Sequence, residues 1–166
     1  RGNGWAMTAL IRTLEELNHA TGLFPEDEAK ELSSFRQQLE QDFITMAFAL
    51  KACQREDGFW NCSLMDEHHY GGKESTGTSL FVYGMAYGIR KGLLSPNVFG
   101  PVVEKAWNAL CQEAVHPDGF LGYVQGTGKE PKDGQPVTYD SCPDFEDFGV
   151  GCFLLAGSEI VQLEEQ

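Results

Sequence analysis

The chain has 166 residues, of which 42% are hydrophobic, and this length and composition suffice for one soluble globular domain with a core. Its formal net charge is −13 and its 12 Lys and Arg residues are scattered, so nucleic acid is excluded as an expected partner. No apolar run approaches the ~20 residues that a membrane span needs, so no membrane partner is expected.

The first predicted element is a helix from Gly4 to Leu17 that is apolar nearly all round. Five residues, Arg1-Gly2-Asn3-Gly4-Trp5, lead into it. Arginine offers a planar fork for a carboxylate, tryptophan offers a flat face for a sugar ring, and glycine lets the backbone approach closely. This start therefore predicts a ligand-facing helix entrance. The alternative is that Arg1 is a solvated terminal residue and Trp5 a core anchor.

Two other segments have the pattern of amphipathic helices on an outer surface, from Asp27 to Gln54 and from Pro96 to Val115. In both, apolar residues recur at spacings of three and four. Ser95 stands at the N-cap of the second segment, with proline as its first helical residue. Cys111 falls on the apolar stripe of this segment and is expected to be a buried thiol.

Two later segments, from Thr76 to Ile89 and from Phe148 to Val161, are apolar nearly all round, like the first helix. A helix without a polar face belongs inside a protein. The order along the chain is then inner, outer, inner, outer, inner. Tandem helical hairpins with apolar inner helices predict an all-α toroid or solenoid.

The same phrase follows each outer helix, first as Asp57-Gly58-Phe59-Trp60 and then as Asp118-Gly119-Phe120-Leu121. Asp57 and Asp118 can be interpreted as a catalytic pair. Asp-Gly at matching positions of two hairpins is more typical of turns, and the turn interpretation is favoured.

No two of the five cysteines are spaced as in a CxxC motif, so zinc ribbons and thioredoxin-type motifs are excluded. Cys53 and Cys62 flank one short loop, and Cys142 and Cys152 flank another, so two local disulfides could form in an oxidising compartment. The tripeptide Asn61-Cys62-Ser63 is a formal glycosylation acceptor. Together these features favour a secreted, extracellular protein, with the cytoplasm as the alternative.

One acidic cluster could be taken for a calcium site. It contains Asp140, Asp144, Glu146 and Asp147, but it lacks the regular spacing of a calcium loop and is interpreted as a solvated face. The sequence thus predicts no metal and no cofactor.

Six phrases occur in order along nearly the whole chain: RGNGW at 1–5, DGFW at 57–60, ESTGTSLFVYG at 74–84, PVVEKAW at 101–107, HPDG at 116–119 and FGVGCFLLAGSE at 148–159. Together they resemble the C-terminal half of glycoside hydrolase family 105, which contains the unsaturated rhamnogalacturonyl hydrolases. Several phrases in a fixed order are far more specific than one motif.

The resemblance implies an all-α (α/α)6 barrel, with residues 1–166 forming about the C-terminal half of this single domain. It also implies removal of a 4,5-unsaturated galacturonyl residue from oligosaccharides derived from pectin (rhamnogalacturonan). In that family an Asp protonates C4 of the C4–C5 double bond and helps a water attack C5. This Asp lies upstream of RGNGW, so no catalytic residue is expected in this segment, which alone should be inactive. The missing N-terminal half becomes an expected partner.

By the same resemblance, Arg1 contacts the carboxylate or hydroxyls of the unsaturated sugar and Trp5 packs beside its ring, with Asn3 as a weaker candidate. His69 and Thr76 precede or begin an inner helix and are expected to bind substrate at the barrel mouth, although loop His and helix-start Thr residues often serve as solvated groups and caps. A second hypothesis is a half-toroid that binds carbohydrate or a partner without catalysis.

Overall fold

The structure, a computed structural model, describes residues 1–20, 23–130, 132–141 and 147–165. Five α-helices form over these residues, and a short π-helical turn directly follows the fourth: α1 (Gly2–Ala20), α2 (Glu26–Ala52), α3 (Ser75–Arg90), α4 (Pro96–Ala109), the π turn (Leu110–Ala114) and α5 (Asp147–Glu164). Extended pairing in the described ranges is limited to isolated bridges, such as Val115 with Leu121. The all-α prediction is confirmed.

Helix α3 is the centre of the fold, because every residue from Ser75 to Gly88 is buried. It packs against α1, α4 and α5, while α2 packs against α1. The helices α1, α3 and α5 therefore form an inner layer, and α2 and α4 lie outside it. This is the predicted alternation of inner and outer helices, and it corresponds to part of an α/α toroid.

Glycines bring α1 and α3 close together. A Cβ built on Gly84 of α3 would lie 2.4 Å from the Met7 Sδ, and one on Gly4 of α1 would lie 2.8 Å from the Leu80 Cβ. Neither distance is tolerable for a real side chain. The two helices thus pack at a separation that only glycine allows.

The two Asp-Gly turns have the same geometry. In Asp57-Gly58-Phe59 and in Asp118-Gly119-Phe120, the aspartate Oδ1 accepts the backbone N–H two residues on, at 3.1 and 3.2 Å. The glycines have φ of 93° and 89°, the left-handed region that favours glycine. The turn interpretation is confirmed, since each carboxylate stabilises its own loop.

The prediction that Cys111 is buried was wrong. It lies in the π turn, whose wider spacing rotates the apolar stripe of the preceding helix, so that Leu110 and Ala114 are buried and Cys111 is exposed. Cys53 and Cys62 are both free thiols, so the first local disulfide is not formed. The second predicted pairing involves Cys142, which lies outside the described residues.

The described part of the chain has no helix that is long and apolar enough to cross a membrane.

Candidate functional site

The amino ends of the three inner helices meet at one end of the structure. Arg1 immediately precedes α1, and its guanidinium carbon lies 5.4 Å from the centre of the Phe148 ring in the first turn of α5. A Cβ on Gly77, in the first turn of α3, would lie 3.3 Å from the backbone nitrogen of Arg1. The amino ends of the three inner helices, with their positive dipole ends, are thus gathered in one place.

A cleft of about 580 Å³ opens at this end. Its lining comes from the start of α1 and from the two loops that follow the outer helices: Arg1, Gly2, Cys62, Ser63, His69, Tyr70, Gln125, Gly128, Lys129 and Glu130. The volume lies in the range of small-molecule sites. His69, which was expected at the barrel mouth, lines this cleft, whereas Thr76 does not.

Arg1 is held from two sides. Its Nη1 donates to the Gln125 carbonyl oxygen at 2.5 Å, and its guanidinium lies over the Phe148 ring. A guanidinium carries five N–H donors in a fixed plane, and among the described residues only the Gln125 carbonyl is within hydrogen-bond distance of it. Several donors of a preorganised fork remain for a ligand carboxylate.

Glu74 is a residue near this site whose role the sequence did not predict. It is the N-cap of α3 and is only 2% exposed. Its Oε2 accepts the Gly77 N–H at 2.6 Å, and its Oε1 accepts the N–H groups of Thr76 at 3.0 Å and Gln125 at 3.4 Å. The available signal was a carboxylate directly before the small polar residues that begin an apolar helix.

The predicted site residues fall into two groups. Arg1 and His69 line the cleft together, and the His69 ring lies 4.2 Å from the Tyr70 ring, measured between centres. Asn3 and Trp5 are exposed residues of the first turn of α1, outside the cleft lining. Thr76 is fully buried and does not line the cleft. Substrate contact by these five residues stays a prediction.

The two thiols near the site are not activated nucleophiles. Burial raises the pKa of Cys62, which lines the cleft, above its usual value. Burial also raises the pKa of Cys152, on α5, to about 12. Nucleophilic cysteines need a lowered pKa, so both side chains remain neutral thiols. In the described ranges, no group of three His, Cys, Asp or Glu residues could hold a metal ion.

Asn61 stabilises the loop that follows α2. Its Oδ1 accepts hydrogen bonds from the Arg55 Nη1 at 2.6 Å and from the Gly72 N–H at 2.9 Å, and the residue is 7% exposed. A buried asparagine that joins two parts of a loop is a poor glycan acceptor. The sequon therefore adds no support for secretion, which stays a prediction.

The comparisons with known proteins agree with this architecture. Residues 1–164 match Glycosyl Hydrolase Family 88, and the chain belongs to this family. The chain is similar to an unsaturated 3S-rhamnoglycuronyl hydrolase of Formosa agariphila, with 36% identity over 165 residues that cover 99% of this chain and 39% of that protein.

Solved structures give the same result. A family 88 glycosyl hydrolase from Bacteroides vulgatus is 39% identical with a TM-score of 0.79, over 96% of this chain and 42% of that one. A Salmonella enterica structure described as a possible member of glycoside hydrolase family 105 is 28% identical with a TM-score of 0.75, over 98% of this chain and 39% of that one. The predicted family resemblance is confirmed, and the chain spans about two fifths of these relatives.

Proposed function

We propose that the full-length protein containing this chain is a glycoside hydrolase that removes a 4,5-unsaturated uronyl residue from an oligosaccharide derived from a rhamnose-containing polysaccharide such as rhamnogalacturonan. The reaction is hydration of the C4–C5 double bond, followed by collapse of the resulting hemiketal. Residues 1–166 then form part of a single α/α-toroid domain. Family membership and the name of the Formosa agariphila relative support this proposal.

The observation that carries the proposal is the setting of Arg1. Its guanidinium lies at the wall of the cleft, fixed by the Gln125 carbonyl and the Phe148 ring, where three inner helices begin. A uronate carries one planar carboxylate, which a guanidinium fork binds with two parallel hydrogen bonds. The positive ends of α1 and α5 favour the same negative charge, whereas that of α3 already faces Glu74.

The proton donor for the double bond is expected outside this chain. Glu74 is buried and accepts backbone N–H groups with both oxygens. Glu130 lines the cleft, but its side chain is 61% exposed and pairs with Lys132 at 2.7 Å. Glu74 is engaged in capping α3 and Glu130 in an exposed ion pair, so neither is assigned as the proton donor. The role of this chain is then to bind and orient the sugar.

The test compares Arg1→Ala and Arg1→Lys in the full-length protein, with loss of the ultraviolet absorbance of an unsaturated uronyl disaccharide as the assay. Loss of a charge-assisted hydrogen bond in the Ala variant should cost about 1.5–3 kcal/mol of transition-state stabilisation, as measured by the fall in kcat/KM. The Lys variant should recover only part of this loss. Arg12→Ala is the control, because Arg12 lies on α1, the helix that Arg1 precedes, outside the cleft lining and with its side chain 57% exposed.

Wild-type protein that fails to turn over any unsaturated uronyl substrate, yet binds the saccharide, would replace the proposal with the non-catalytic binding alternative. An Arg1→Ala variant with the kinetics of Arg12→Ala would return Arg1 to a solvated structural role.

A further inference from the structure

The segment from Gly122 to Gln125 is tied to the start of α3 by buried polar groups. The Ser75 N–H donates to the Tyr123 carbonyl at 2.8 Å, and the Ser75 Oγ donates to the Gly122 carbonyl at 2.6 Å. Glu74 adds a third tie, since its Oε1 accepts the Gln125 N–H at 3.4 Å. Glu74 and Ser75 are 2% and 0% exposed, so water does not compete for these bonds.

Gln125 connects this anchor to the cleft. Its backbone N–H faces Glu74, whereas its carbonyl oxygen accepts the hydrogen bond from the Arg1 guanidinium. Its side chain is held separately, because Nε2 donates to the Asp133 carbonyl at 3.0 Å. The position of the Gln125 carbonyl, and with it the direction of the Arg1 fork, therefore depends on where Glu74 places the backbone.

Glu74 also faces Arg1 across Gly77. A Cβ on Gly77 would lie 2.9 Å from the Glu74 Oε2 and 3.4 Å from the Arg1 Cα. The carboxyl group that caps α3 and the backbone of Arg1 therefore both border the space that the missing side chain of Gly77 leaves open. A shift of the Glu74 side chain would reach Arg1 through the backbone of Gln125, which is bonded to both residues.

We propose that Glu74 is a positioning residue, which fixes the Arg1 guanidinium in its substrate-binding direction by capping α3 and holding the backbone of Gln125. This inference rests on the proposed function for its substrate, an unsaturated uronate. It assigns to Glu74 no contact with the sugar and no proton transfer.

The main variant is Glu74→Gln in the full-length protein. The carboxyl oxygens accept N–H groups on both sides, and a glutamine would turn its amide nitrogen toward one of those donors. A buried donor facing another donor is costly, so the cap and the attached segment shift. KM for the unsaturated uronyl disaccharide should rise about tenfold while kcat stays within about twofold, because Arg1 binds ground and transition states alike.

Glu159→Gln is the matched control, because Glu159 is also buried, at 4%, and its carboxylate pairs with Arg90 at the opposite end of α3. It should lower stability without changing KM. Ser75→Ala removes the hydrogen bond from the Ser75 hydroxyl to the Gly122 carbonyl. It is the replacement variant if Glu74→Gln does not fold, and its KM should rise about threefold.

The decisive experiment introduces Glu74→Gln into the Arg1→Ala variant and compares the KM of the double variant with that of Arg1→Ala alone. If Glu74 acts through Arg1, the substitution adds no further rise in KM there, whereas independent effects would multiply. Multiplied effects, or unchanged KM in Glu74→Gln or in Ser75→Ala, would overturn the positioning role while leaving the proposed function in place. Absence of turnover by the wild-type protein would instead overturn the proposed function and the substrate assigned here with it.

Discussion

Helices α3 and α5 have the same kind of sequence and different surroundings. Both are apolar nearly all round and rich in small residues, yet α3 is buried from Ser75 to Gly88. In α5 only one face is buried, including Cys152, Ala156 and Ile160. Apolar side chains on its other face are exposed, among them Leu154 at 64% and Val161 at 55%.

The difference shows that an apolar pattern indicates which faces of a helix are buried in the complete protein. A part of that protein can leave some of these faces exposed. Helix α3 has neighbours on three sides, whereas the described contacts of α5 are mainly with α3. The chain spans about two fifths of its relatives, so we propose the remaining hairpins of the same barrel as the partner of the exposed face of α5. Soluble monomers rarely leave a large apolar patch uncovered.

The buried contact between α3 and α5 should show the largest effect. Arg90 donates two hydrogen bonds of 2.8 Å to the Glu159 carboxylate, with the side chains 13% and 5% exposed. Glu159→Ala removes both of these bonds from a guanidinium that is largely shielded from water, and it should cost about 3 kcal/mol of unfolding free energy. Glu40→Ala, which breaks an exposed pair with Arg36, should cost less than about 1 kcal/mol. Equal losses in urea denaturation would contradict the difference in burial.

The exposed face of α5 predicts an effect that depends on context. Leu154→Ala in the 166-residue chain should change the unfolding free energy by no more than about 0.5 kcal/mol, since the side chain is 64% exposed. In the full-length protein the same change should cost about 2–3 kcal/mol if the remaining hairpins bury it. Denaturant titration of both proteins measures the difference, and equal values would remove the proposed neighbour.

Glycine-to-alanine substitutions in the two helices should have opposite signs. A Cβ at Gly84 of α3 would overlap Met7, so Gly84→Ala should destabilise the protein by about 1–2 kcal/mol. A Cβ at Gly151 of α5 meets nothing within 4 Å, so Gly151→Ala should stabilise it by about 0.5–1 kcal/mol through helix propensity. The melting temperatures of the two variants, each compared with that of the wild type, test this prediction. A rise in both would mean that α1 can move away from an alanine at position 84.

Sequence patterns predicted most of the fold and part of the site. Periodicity separated inner from outer helices, and the paired Asp57 and Asp118 turns were predictable because Asp-Gly has its own local geometry. The exposure of Cys111 was not, since a π turn inserts one residue without a distinctive local signal.

The site shows the same division. The opening motif singled out Arg1, and loop position singled out His69, which both line the cleft. The sequence predicts Thr76 as a binding residue, but it does not predict that the neighbouring Glu74, together with Ser75, ties α3 to the segment from Gly122 to Gln125. Such a tie spans 51 positions in the chain, so only the folded structure reveals it.

Complementation tests the central claim most directly, that this chain supplies the uronate-binding part of a larger barrel. The chain and the preceding hairpins of the full-length protein would be produced separately and mixed, with turnover of an unsaturated uronyl disaccharide followed by ultraviolet absorbance. The account predicts that neither part is active alone, that the mixture is active, and that Arg1→Ala in this chain weakens that activity. Turnover by this chain alone, or a mixture that forms a complex but stays inactive while the intact protein turns over, would contradict it.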